Sequence, residues 1–149
     1  MKVSSKGKYY GSKHIELNFD KVVLSQYSYN IKTTPWHYHE NPYFMFVLHG
    51  NMLDHNKRTT SLLPPGSLMF NNWQEQHYGV RYSSAATGFH VEFERSWFNE
   101  HELNLDLFEG SQKIDDPSIQ LLIARLYLEF SRSEMHNELS IELLLIQIC

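Results

Sequence analysis

From Lys21 to Ile31, Val23, Ser25, Tyr27, Tyr29 and Ile31 fall on one side of an extended chain. Val22, Leu24, Gln26, Ser28 and Asn30 fall on the other. This period of two predicts a strand. Tyr43 to Leu48 is a continuous apolar run closed by Gly50, the length of a buried strand. His55-Asn56-Lys57-Arg58 is polar and lies between Met52-Leu53 and Ser61-Leu62-Leu63, as a hairpin turn would. Pro64-Pro65-Gly66 then breaks the chain. Ser67 to Phe70, Tyr78 to Tyr82 and Ala86 to Phe93 complete a series of short strands at close spacing. Such a series predicts a sandwich or barrel, so the fold is expected to be mostly β.

The period changes at Asp116. Asp115 or Asp116 suits a helix N-cap, and Pro117 suits the first turn. Ile119, Leu122, Ile123, Leu126, Tyr127 and Phe130 then recur at helical spacing. Ser131 to Asn137 interrupts the pattern, and a second helix is predicted from Leu139 or Ser140. Its stretch from Ile141 to Ile148 is apolar around most of the circumference and must be covered on several sides. That helix reaches Cys149 with no capping glycine, closing basic residue or polar tail. The expectation is that the native chain continues beyond it.

Composition narrows the picture. A chain of 149 residues has room for one domain with a real core. Aromatics at 14% add weight to the β reading. The net charge is −4, and Lys57-Arg58 is a pair rather than a basic stripe, so this chain is not expected to bind a duplex by itself. With Cys149 as the single cysteine, no intrachain disulfide or thiolate metal site forms. Met1 to Lys8 carries basic residues without an apolar signal segment behind them. No apolar run approaches ~18 residues, and the expected location is the cytoplasm.

The chemistry concentrates in Trp36-His37-Tyr38-His39 and its surroundings. On a strand His37 and His39 share a face, and two converging imidazoles suit a transition metal. The stretch to Gly50 resembles the first motif of the cupins, in which His-x-His precedes a glutamate and then a glycine. Gly66 followed by His77 matches the glycine-to-histidine spacing of the second cupin motif. Three histidines therefore stand in ligand positions, while Tyr43 occupies the glutamate position and Arg81 the closing asparagine position. Glu92, on a neighbouring strand, is a candidate to substitute for that carboxylate, although no spacing in the sequence requires it.

A narrower resemblance covers roughly residues 20 to 149. His37 to Gly50, the Arg58 hairpin, Pro65-Gly66-Ser67-Leu68, His77 and Phe93-Glu94-Arg95-Ser96-Trp97 look like AraC-type bacterial transcription regulators. The resemblance implies a cupin-like (double-stranded β-helix or jelly-roll) barrel followed by two α-helices. It divides the chain into an arm and first strand (1–20), the barrel (21–95) and a helical dimerisation segment (96–149). It further implies a homodimer, a small-molecule effector in the barrel, and DNA contact only through a C-terminal helix-turn-helix domain outside this chain. Trp36, Tyr43, Met45, Trp73, Tyr82 and Glu92 are expected to line the effector pocket. Leu126, Phe130, Ile141, Leu144, Leu145 and Ile148 are expected at the dimer or helix interface, and Trp97-Phe98 is expected to anchor the helices to the barrel. His37, His39 and His77 are candidate ligands for zinc, nickel or iron, against the alternative of a metal-free pocket. The expected role is regulatory rather than enzymatic; the alternative is a metal-dependent cupin oxygenase or isomerase.

Overall fold

The computed structural model describes residues 2–19, 21–73, 75–81, 85–103, 110–132 and 138–149. In chain order the strands are β1 (Lys2–Ser4), β2 (Ser12–Phe19), β3 (Val22–Ser28), β4 (His37–His39), β5 (Tyr43–His49) and β6 (Met52–Asn56). They continue with β7 (Thr60–Leu63), β8 (Leu68–Asn71), β9 (His77–Arg81) and β10 (Thr87–Phe93). Helix α1 (Arg95–Glu100), strand β11 (Gln112–Ile114) and helices α2 (Pro117–Ser131) and α3 (Glu138–Ile148) follow. One sheet has the order β1-β4-β9-β6-β7 and the other β11-β8-β5-β10-β3-β2.

The predicted strands and both long helices are present, with the hairpin running from β6 to β7 as the polar turn implies. Elements the pattern did not predict are α1, a second strand within residues 1–20 (β1 and β2 both lie there) and β11, which pairs antiparallel with β8. The larger sheet explains the apolar run in β5. Tyr43, Met45 and Val47 point into the barrel, where they meet Tyr27 of β3, Tyr29 just beyond its end and Met52 of β6. Phe44 and Phe46, on the opposite side of the same strand, belong to a second core with Phe89, Val91 and Phe93 of β10. The helices cover that outer side. A sheet buried on both faces has no polar stripe to display, so alternation gives way to continuous apolarity.

Helix α2 starts where the sequence predicts: Pro117 occupies its first turn and the Ser118 N–H donates to the Asp116 carboxylate at 2.9 Å. Ile123, Leu126 and Phe130 are its buried residues, and α3 buries Ile141, Leu144, Leu145 and Ile148. In α1 Trp97 and Phe98 are buried, their ring centroids 4.8 Å and 5.3 Å from that of Phe93. Gly50 closes β5 at φ +80°, and a Cβ there would come within 2.7 Å of the Ala86 Cα, so the turn needs a glycine on both counts. No helix among the described residues is long and apolar enough to cross a membrane.

Candidate functional site

Period-two geometry aims a polar set of side chains into the barrel. β4 contributes His37 and His39, β9 contributes His77, Gly79 and Arg81, β6 contributes Asp54, and β10 contributes His90. Strands β4 and β9 pair with His37 opposite His77, and β6 and β9 pair with Asp54 opposite Gly79. The space these residues leave is about 20 Å³, room for one water molecule.

His37, His39 and His77 are all buried, and their nearest nitrogens lie within 4.8 Å of one another. Two of the rings are oriented from behind. His37 Nδ1 lies 2.8 Å from the Pro35 carbonyl and His77 Nδ1 lies 2.8 Å from Asp54 Oδ1. Both partners are acceptors, so each Nδ1 carries a proton, and whenever the ring is neutral its Nε2 keeps the lone pair. The Tyr43 hydroxyl is 3.5 Å from His77 Nε2, on the side where the usual carboxylate of the motif is missing. His39 Nδ1 is sealed from solvent without a hydrogen-bond partner. Burial lowers the His37 pKa to about 4, with the His77 charge adding to it. His39 is also held well below its ordinary value, first by burial and then by His77 and His37. Neutral imidazoles with inward lone pairs are the form that a metal requires.

Deeper in the barrel the N-terminal segment supplies Tyr9. Its ring stacks on His90 with centroids 3.7 Å apart, and its hydroxyl donates to Glu92 Oε1 at 2.7 Å. The Gly7 N–H and the Asn41 amide also donate to Glu92. Burial raises the Glu92 pKa, and these donors pull it back down. Glu92 is thereby engaged with the N-terminal segment, while Tyr43 and Met45 line the cavity. Other expected lining residues lie elsewhere. Trp36 is 42% exposed and packs edge-on against Tyr78, and Trp73 lies under the Arg95 guanidinium at 3.8 Å. Since His37 points inward, its neighbour Trp36 must point outward. Tyr82 is outside the described residues.

The six residues expected at a dimer or helix interface (Leu126, Phe130, Ile141, Leu144, Leu145 and Ile148) are each at most 5% exposed within this one chain. They join the helices to the barrel and to each other within this chain. Sequence reasoning did not single out Tyr9, Tyr29, Asp54, Arg81 or His90, all of which line the cavity. Counting by two from His77 reaches Arg81, and from Glu92 reaches His90, so that signal was available for these two.

Solved structures with a similar course bear on the fold. ToxT K231A of Vibrio cholerae, in its apo form, aligns at 9% identity and a TM-score of 0.63, over 88% of this chain and 54% of that one. This chain therefore spans about half the length of ToxT. A cupin-2 domain protein of Shewanella frigidimarina aligns at 11% identity and a TM-score of 0.50, over 58% of this chain and 84% of that one. At such identities the likeness establishes the fold, a cupin-like barrel with appended helices. No curated protein sequence matches the chain. The chain belongs to the AraC-like ligand binding domain family, whose profile matches residues 19–149. Membership fits a ligand-sensing, regulatory role.

Proposed function

We propose that this domain senses a small-molecule effector in its barrel and transmits its presence, through the helices, to a C-terminal helix-turn-helix domain of a cytoplasmic bacterial transcription regulator. The observation that carries the reading is the shared sheet: β5 and β10 line the cavity with one face, through Tyr43, Met45 and His90, and pack with the other in the core that holds α2 and α3. A ligand that changes the packing of Tyr43 or His90 acts on strands whose reverse side holds the helices. Transmission then requires only that the ligand prefer one of two helix placements.

The donor set of His37, His39 and His77 fits a divalent ion such as zinc, nickel or iron, because Pro35 and Asp54 turn two Nε2 atoms inward. A bound ion would act there as a Lewis acid on an oxygen of the effector. Free Zn²⁺ at a hundred times its dissociation constant is expected to raise the unfolding free energy by about 2.7 kcal/mol. Denaturation with zinc and with chelator measures this, and His39→Ala should abolish it. Amide exchange in α2 and α3 should slow in the same samples. Zinc binding without that slowing counts against transmission, and an unchanged midpoint in excess zinc removes the metal from the reading.

Homodimerisation is assigned to the outward side of the helices. Leu121 and Leu128 of α2 are exposed at i and i+7, and Leu139, Leu143 and Ile146 of α3 at i, i+4 and i+7. Light scattering at tens of micromolar, on the order of a −7 kcal/mol association, should give twice the chain mass. Leu143→Glu should give folded monomers, and a monomeric wild type would sink this part of the reading.

A further inference from the structure

The three candidate ligand histidines all stand on one sheet. His37 and His39 are on β4 and His77 is on β9, both strands of the five-stranded sheet. Helices α2 and α3 share their core with the six-stranded sheet, which contains β5 and β10. An ion held by the histidines alone would brace the first of these sheets.

Tyr43, on β5, crosses from one sheet to the other. Its hydroxyl lies 3.5 Å from His77 Nε2, and its ring centroid is 4.6 Å from that of His39. That separation is long for a hydrogen bond, whose heavy atoms normally sit within ~3.2 Å. It is instead the spacing of two ligands on one ion. Bonds of ~2.0–2.1 Å at tetrahedral angles put the ligand atoms ~3.3 Å apart. Tyr43 is 3% exposed, so the pair meets away from bulk water. The cavity beside them, about 20 Å³, has the size of a single ion or water.

Charge favours the same oxygen. A divalent ion on neutral imidazoles adds two buried positive charges to a cavity that Arg81 already borders. Asp54 stands behind His77, on its Nδ1 side, and offsets part of this. Glu92 receives hydrogen bonds from Gly7, Tyr9 and Asn41 instead. A phenolate at Tyr43 supplies a further anion at the tip of His77.

We propose that Tyr43 is the fourth ligand of the ion site, binding as a phenolate and tying the ion to the helix-bearing sheet. The Tyr43 O–H bond breaks as the oxygen–metal bond forms, and the proton passes to solvent. This rests on the three-histidine site proposed above, and it makes Tyr43 the link by which occupancy of that site reaches α2 and α3.

Zinc is the probe, with copper(II) as its coloured substitute. A free phenol, with its ordinary pKa of about 10, is protonated at neutral pH, so a tyrosinate signal there reports coordination. Zinc should give the wild-type chain a tyrosinate ultraviolet difference spectrum that saturates at equimolar metal. Copper(II) should give a visible phenolate-to-metal charge-transfer band. Tyr43→Phe should lose both signals and bind zinc at least roughly tenfold more weakly, since loss of a ligand costs no less than loss of its outer partner. Zinc should slow amide exchange in β4 and β9 of both chains, but in α2 and α3 of the wild type alone.

Zinc binding without a tyrosinate signal would overturn the ligand assignment and leave the three-histidine site standing. A signal that persists in Tyr43→Phe belongs to another tyrosine and would overturn it equally. Equal slowing of α2 and α3 in both chains would reject Tyr43 as the link to the helices. No zinc binding by the wild type would remove the histidine site and this ligand together. The wild-type spectra decide the assignment even if Tyr43→Phe fails to fold.

Discussion

Acidification from pH 6.5 to about 4 is expected to remove several kcal/mol from the stability of the metal-free domain. His90 is buried against Tyr9, with Tyr29 hydrogen-bonded to its Nε2 at 2.7 Å, and its pKa is lowered to about 3 by burial and then by Arg81. His37 is lowered to about 4 by burial and then by His77. In the unfolded chain both return to about 6.5. Because their folded values are depressed, the unfolded state takes up protons first as pH falls. Their contribution is therefore complete above pH 6.5 and is lost as pH drops toward 4 and 3. At about 1.4 kcal/mol per unit, His90 alone is worth on the order of 5 kcal/mol. Glu92 acts in the opposite sense: its folded pKa is raised, so it gains stability as pH falls toward its unfolded value and offsets part of the loss. Urea midpoints measured with chelator from pH 7.5 to 4 should fall steeply, and His90→Gln should flatten the slope. A flat wild-type profile would show that the imidazoles titrate as in water and are not buried as described.

Replacing Phe89 with alanine is expected to cost about 3–5 kcal/mol. The side chain is fully buried on the outer face of β10, its ring centroid 5.3 Å from that of Tyr127 and 5.0 Å from that of Phe130. Truncation leaves a cavity between rigid sheet and helix, where neither side collapses easily. Against a total of roughly 5–15 kcal/mol for a domain, this is a large fraction. Leu62→Ala, at 56% exposure on β7, should stay within about 0.5 kcal/mol. Denaturant titration gives both values, and amide exchange in Phe89→Ala should quicken first in α2. A loss under 1 kcal/mol would mean that α2 is not seated on β10.

The longer strands, such as β3 and β5, and the two long helices were legible because each repeats its period several times. Helix α1 has six residues and β11 three, too few to show a period. The histidines of the site were legible because i and i+2 on a strand suffice to bring them together. Tyr9 was not, since its partner Glu92 is 83 residues away and nothing local encodes their meeting. Aromatic identity misplaced Trp36, where strand parity from His37 would have put it outside. In α3 an apolar residue bound for the chain's own core resembles one bound for a partner. Only the packed chain separates Ile141, Leu144, Leu145 and Ile148, which are buried, from Leu139, Leu143 and Ile146, which are not.

The sheet with two dry faces also bears on how such a domain diversifies. Along β5, Tyr43, Met45 and Val47 face the barrel interior, while Phe44 and Phe46 pack in the core that holds the helices. The two vocabularies are interleaved residue by residue yet never share a side chain. Substitution at odd positions can retune chemical taste without rewriting the output surface, and substitution at even positions does the reverse. On the proposed sensing role, exchanging Tyr43, Met45 and Val47 as a set would alter the barrel interior while leaving the helix-bearing face of β5 as it is.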